Sequence, residues 1–528
     1  MTERAATWRL YAAITGLAVL AFLALRDFAG DRRQALAAGP AGGSAPVDPL
    51  VANGPIFVDW PKPSLAIAFT GELDGYLEPC GCAGLENQLG GLKRRHSFFK
   101  QLEADGWPLV KLDLGGLVKR SGPQSEIKYR VAVESLAELG YQAIGLGPHD
   151  LRLGADPLAF ALGNFPAGQS PIVAANVGVY GLAESVDMGM TRRYRVIEAG
   201  GKRIGVTAVL GARHASLAKN TSDIGYLPPI EALATVAPQL ARERCDVQVL
   251  LVHGDPAEAT ALSKQFPQFQ IVASAGGAEE PPKQPAIVAG SGAVLMEAGH
   301  KGMYVTVLAF FDDPDPAKRN RYQRVPLDTR FPESPAMQAR LVAYQKELET
   351  MTLGGLGLTG VAHPDGEFAG SDACADCHSA AWAVFEKSPH YHATETLEQL
   401  DPPRQFDPEC LSCHVTGWNP QEYFPYLTGY LSHEVTPLME RNGCENCHGP
   451  GAEHVKAENG ETDVTDAQKE SLRAALRMKI VANEGNKEGQ EFASGTVVKN
   501  CMLCHDLDNS PDFDFQKYWP EVEHHGVD

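Results

Sequence analysis

The chain has too little positive charge to hold a polyanion. Its 46 Lys and Arg residues face 66 Asp and Glu residues, a formal net charge of −20 over 528 residues. The deficit is uneven, because Asp365 to Asp528 carries 30 acidic against 11 basic side chains, a net of −19, and the remainder is close to neutral. Such a surface repels nucleic-acid phosphates and anionic lipid, which excludes nucleic-acid binding; it suits partner proteins with a basic docking face, or serves only to keep the domain soluble. Long apolar runs are almost absent as well. The exception is Leu10 to Leu25, 16 uncharged and largely apolar residues between Arg9 and Arg26. As a helix it would measure about 24 Å at 1.5 Å per residue, short of the ~30 Å hydrocarbon core unless its arginines snorkel. It is longer than the roughly 7–15 residues of a signal-peptide core. The expectation for residues 1–30 is a signal anchor left uncleaved, with a cleaved signal peptide as the alternative. Either places the chain on the periplasmic side of a bacterial inner membrane, anchored in the first case and soluble in the second. No cysteine follows closely to carry lipid, which excludes a lipoprotein.

Residues 31–63 are rich in Ala, Gly and Pro and read as a flexible linker. From Ser64 the texture changes to short apolar runs such as "SLAIAFT", "PLVKLDLG", "DVQVLLVHGD" and "FQIVASAGG", separated by helical stretches. That alternation predicts an α/β domain with a buried, mixed sheet over residues 64–330. Ser334-Pro335 places an N-cap and a first-turn proline ahead of a helix to about Met351. The Gly-rich "LGGLGLTG" completes a joint over residues 331–364. The last domain, 365–528, is expected to be mostly helical.

Eleven cysteines are compatible with several frameworks, so spacing must decide. Eight fall into four Cys-x-x-Cys-His segments: Cys374, Cys377, His378; Cys410, Cys413, His414; Cys444, Cys447, His448; and Cys501, Cys504, His505. Two thiols at this spacing form thioethers to the two vinyl groups of a heme, and the following imidazole ligates the iron. Zinc sites also use Cys-x-x-Cys pairs, but they need no histidine directly after every pair. Four covalently attached c hemes in about 164 residues leave 41 residues per heme, too few to close a core without them. An iron that only carries electrons needs a sixth ligand, and the region offers several histidines against few methionines.

The segments "CADCHSAAWAVFEKSPHYHATETL", "CLSCHVTGW", "NGCENCHGPGAEH" and "YWPEVEHH" resemble the tetraheme cytochrome c family of nitrifying bacteria over residues 370 to 525. The resemblance implies electron transfer. It also implies distal iron ligands at His390, after the first site, at His454, six residues beyond His448, and at His524, after Tyr-Trp-Pro. His433 is the remaining candidate for the fourth. His392 and His525 read as surface or supporting histidines, each the alternative to its own neighbour, His390 or His524. His363 is expected on an exposed loop.

Residues 64–312 resemble the 5′-nucleotidase branch of the calcineurin-like metallophosphoesterases in the order of "IAFTGELDGYL", "LDLGG", "GLGPHDLRLG", "LLVHGD" and "IVASAGGAEE". The departures are large. Glu72 and Asp74 replace the Asp and His of the first motif, Gly116 the bridging Asp and Pro148 the Asn. The last motif lacks histidine, which leaves His149 and His253. A two-metal hydrolase needs a bridging carboxylate, so the expectation is a non-catalytic domain. Glu78-Pro79-Cys80-Gly81-Cys82 stands apart from that pattern. Cys80 and Cys82 are too close for a relaxed disulfide and read as a labile disulfide, a metal or reactive-thiol site, or a buried structural pair. Cys245 reads as a small buried residue. The leading function is electron transfer. The alternatives are a multiheme oxidoreductase acting on a small nitrogen or sulfur compound, and an active metal-dependent phosphoester hydrolase with a cytochrome accessory.

Overall fold

A computed structural model describes residues 47–80, 87–166, 168–478 and 496–524. The Leu10–Leu25 segment, Cys82 and His525 lie outside the described residues. Among those that are described, no helix is long and apolar enough to cross a membrane. Residues Asp48 to Asp528 form a single compact unit.

Two sheets make its larger part. Strands β1 (Leu65–Thr70), β2 (Leu109–Asp113) and β3 (Ala143–Ile144) run parallel. The second sheet holds β4 (Tyr194–Ala199), β5 (Lys202–Leu210), β6 (Val247–His253), β7 (Ile271–Ser274), β8 (Ala286–Ile287) and β9 (Val294–Glu297) in the order β8-β9-β7-β6-β5-β4. The chain then returns to the first sheet as β10 (Tyr304–Phe310) and β11 (Asn320–Pro326), giving β11-β10-β1-β2-β3 with β10 antiparallel to both neighbours. Successive side chains of a strand point to opposite faces, and β1 shows the consequence. Leu65, Ile67 and Phe69 pack with Ile204, Val206, Val249 and Leu251 of the second sheet, while Ala66 and Ala68 pack toward helices. Helices α1 (Leu92–Ala104), α2 (Pro123–Glu138) and, later in the chain, Pro335–Gly355 cover the first sheet. Helices α3 (Pro229–Arg242) and α4 (Pro256–Gln265) cover the second. The result is an α/β/β/α sandwich, with two mixed sheets where the sequence suggested one.

The spacer expected over residues 31–63 is structured where it is described. Asp48 caps a short helix, Pro49–Asn53, and Phe57 and Trp60 stack against Trp107 and Phe98. Aromatic area of this kind is worth more buried than solvated, so the chain follows the core. Cys245 is partly buried and packs against Gly205. Helix α5 (Pro335–Gly355) starts at the Ser334 cap and breaks at Thr352, whose φ is 57°.

Beyond the joint the elements are short. They include α6 (Pro408–His414), α7 (Cys444–His448), α8 (Ala452–Glu458), α9 (Asp466–Leu476) and α10 (Thr496–Cys504). Three of the four Cys-x-x-Cys-His motifs lie on or end these helices, and the first runs from a one-turn helix at Asp372–Ala375. Eight buried apolar side chains, among them Leu397, Leu411, Val415 and Trp418, form the apolar cluster of this region. His363, expected to be exposed, is half-buried between Phe368 and Tyr426, because its ring completes an aromatic cluster.

Candidate functional site

The short helices bring the four motifs together. The thiols of Cys374 and Cys444 are hydrogen-bonding neighbours, as are those of Cys413 and Cys504, so the first motif adjoins the third and the second adjoins the fourth. A histidine that binds iron through Nε2 should hand its Nδ1 proton to an acceptor, which fixes ring orientation and tautomer. That arrangement recurs here. His414 Nδ1 donates to Ala393 O at 2.7 Å, His448 Nδ1 to Leu476 O at 2.8 Å and His524 Nδ1 to Val522 O at 2.9 Å, and His505 Nδ1 is hydrogen-bonded to Ser510 Oγ at 3.0 Å.

Rings also face one another. The centroids of His390 and His505 are 6.0 Å apart, and those of His448 and His524 are 5.9 Å apart. Two metal–imidazole bonds of about 2 Å each, plus the offset of each nitrogen from its ring centre, give roughly this separation. Burial and the neighbouring His505 push His390 down to about 4, so it presents a neutral imidazole. His454 lies on α8 within electrostatic range of His378. Among the described residues its buried Nδ1 has no hydrogen-bond partner, and the carboxylate of Glu458 is at 3.8 Å. A coordinate bond would satisfy an orphaned buried nitrogen of this kind. These observations fit heme c at the four motifs. His433 is different. Its side chain is 72% exposed and paired with Glu440, and among the described residues no ring contact joins it to an attachment histidine. His392 is exposed and paired with Glu395.

A second cluster gathers at the carboxyl ends of the parallel strands, where open α/β sheets place ligands. Glu72 and Asp74 follow β1 at φ 46° and 56°. Gly116 follows β2, His149 and Asp150 follow β3, and His253 ends β6. Two further histidines join them that motif order did not find. His300, in the β9–β10 connection, sets Nδ1 3.3 Å from Asp74 Oδ2, and His214, after β5, meets the ring of His253 edge to face at 6.0 Å. Motif order missed His300 because a long excursion separates it from β7, the strand that should have delivered the last motif.

The charges here pair internally. His253, 3% exposed, holds Glu72 Oε1 at 3.1 Å through Nε2 and donates Nδ1–H to Leu114 O at 3.0 Å. Burial opposes ionisation of both partners, but their attraction prevails, raising His253 and lowering Glu72. Asp150 is a positioning group. Its carboxylate accepts from the amides of Gly116, Leu117 and Gly147 at 2.8–2.9 Å, and burial pushes its pKa up to about 6. Burial and His253 push His214 down to about 4. A Cβ on Gly116 would lie 2.5 Å from Glu72 Oε2, so the Glu72 carboxylate already fills the space beside it. The donor set departs from that of a two-metal site in one respect, since Gly116 stands where the bridging carboxylate belongs and Glu72, which fills that space, is paired with His253. Glu72, Asp74 and His300 offer ligand atoms within 4.8 Å of one another, enough for one ion. The backbone of Cys80 belongs to a two-residue strand paired with Leu89–Gly90.

Comparisons with known proteins divide the chain in the same way. Residues 373–449 match the family described as cytochrome c554 and c-prime. The chain is 28% identical over 158 residues to cytochrome c-554 of Nitrosomonas europaea, covering 27% of this chain and 58% of that protein. It is 30% identical over 195 residues to a snake venom 5′-nucleotidase of Gloydius brevicauda, covering 36% of this chain and 32% of that protein. The chain thus spans less than two thirds of either relative. Among solved structures it is similar to a 5′-nucleotidase precursor from Thermus thermophilus, at TM-score 0.45 and 21% identity, covering 54% of this chain and 59% of that one. A calcineurin-like phosphoesterase from Bacillus subtilis gives TM-score 0.42 at 15% identity, covering 54% of this chain and 97% of that one.

Proposed function

We propose that the chain is an exported tetraheme c-type cytochrome that carries electrons in its C-terminal region, on an α/β region without phosphoesterase turnover. The observation that carries this reading is the opposition of His390 to His505 and of His448 to His524 at the spacing of paired axial ligands. Heme c, when bound, supplies a one-electron site at each motif. The residues do the rest. The cysteines would fix each group covalently, and the Nδ1 hydrogen bonds hold the attachment imidazoles of His414, His448 and His505 in one orientation. The contacts of Cys374 with Cys444 and of Cys413 with Cys504 keep the motifs adjacent, as electron passage requires. Export follows from the Leu10–Leu25 segment, and the acidic surface suits a basic redox partner.

One observation favours a second reading. Among the described residues, no imidazole is paired with His378 or His414 across a gap of about 6 Å as His390 is with His505. A position left open there would admit a small nitrogen or sulfur compound, making the chain an oxidoreductase. The room-temperature spectrum of the oxidised protein decides between the two. Four low-spin hemes support transfer alone, and a high-spin fraction that takes up carbon monoxide after reduction supports catalysis.

A further inference from the structure

Buried side chains of the α/β region reach the second attachment motif, and the electron-transfer reading makes no use of them. Lys128, on α2, is 6% exposed and sets Nζ 2.6 Å from Glu409 Oε2. Glu409 immediately precedes Cys410. One turn away, Gln124 Nε2 donates to Asp407 Oδ1 at 2.7 Å, while Gln345 Nε2, from α5, donates to Asp407 Oδ2 at 2.8 Å. Asp407 in turn caps α6, accepting from Glu409 N at 3.1 Å. Arg404, 5% exposed and paired with Glu78, closes the other side. The Cys410 thiol therefore sits in the combined field of Asp407, Glu409, Arg404 and Lys128.

We propose that Lys128 is a positioning residue that sets the reduction potential of the heme attached at Cys410, Cys413 and His414. The proposal rests on reading that motif as a heme site. Reduction adds negative charge at the iron, and fixed charges in a dry interior act on it with little screening. Lys128 is held charged against burial by Glu409 and Asp407. Removing it leaves the Glu409 carboxylate uncompensated beside the thioether and disfavours the added electron. The α/β region thereby tunes one electron site of the other region.

The test is a spectroelectrochemical titration of the full-length holoprotein as wild type, Lys128→Met, Glu409→Gln and the double variant, each first shown to carry four hemes. Lys128→Met is expected to lower one midpoint potential, about a tenfold change in that couple's equilibrium constant, or 59 mV for one electron. Glu409→Gln should raise the same couple, and the double variant should return it toward the wild-type value. If Lys128→Met fails to fold, the opposite shift in Glu409→Gln and its cancellation in the double variant carry the test. Unchanged potentials with four hemes present, or four potentials moving together, would overturn the proposal. Loss of no heme on replacing both Cys410 and Cys413 would instead overturn the heme-site reading beneath it.

Discussion

The α/β region and the C-terminal region hold themselves together by different means. On the outer face of its first sheet alone, the α/β region buries Phe98, Phe99, Tyr129, Leu136 and some forty further apolar side chains, and it adds two more clusters between and behind its sheets. Among the described residues the C-terminal region has one cluster of eight, and even that borrows Leu353 from the joint. Ordering a chain costs about 1–2 kcal/mol per residue, which a cluster of eight cannot offset over so long a segment. The α/β region is stabilised by its own apolar core, and the proposed hemes would supply what the C-terminal region lacks. Glu72 pairs with His253 and Asp74 with His300, while buried Nδ1 atoms of His149 in the one region and His454 in the other have no hydrogen-bond partner among the described residues.

Loss of an attachment should break the comparison most visibly. Cys444→Ala is expected to lower covalent heme from four to three and to open the C-terminal region to protease while the α/β region stays resistant. Retention of four hemes in a pyridine hemochrome assay would contradict this. The mirror-image variant, Phe69→Ala between the two sheets, should cost about 3–5 kcal/mol in the α/β region and leave the heme spectrum unchanged. A smaller effect is expected from the facing imidazoles. His390→Ala or His454→Ala should turn one heme high-spin and open it to carbon monoxide, with little change in melting temperature. At the acidic and histidine cluster, the full chain should show no metal-stimulated hydrolysis of phosphate, pyrophosphate or sulfur esters. Metal-dependent turnover lost in His149→Ala would contradict the scaffold role.

The smallest effect concerns pH. His214 has its folded pKa at about 4, below the ~6.5 of an unfolded histidine. Its contribution to stability is therefore present above pH 6.5 and lost as pH falls toward 4. Melting of the α/β region should decline across that window, and His214→Gln should flatten the decline. An unchanged profile in the variant would assign the acid response to other groups.

The attachment motifs were legible because thioether chemistry fixes their spacing whatever the fold around them. Strands such as Leu65–Thr70 and Val247–His253 were legible because they are buried on both faces and read as continuous apolar runs. His300 and His214 were not, since each reaches the cluster from a connection whose path only the folded sheets define. His433 illustrates the converse. Proximity to the third motif suggested a ligand, but the chain turns its ring outward to Glu440. Division of one sandwich into two sheets was also hidden, because apolar runs do not say which strands pair.

If the C-terminal region is built around four electron-accepting groups, their number and their redox activity must agree in the intact protein. An anaerobic reductive titration of the purified full-length chain, counting electrons accepted per chain alongside heme per chain, measures both at once. Four of each are expected. Fewer than four hemes, or four hemes that accept fewer than four electrons, would contradict that architecture.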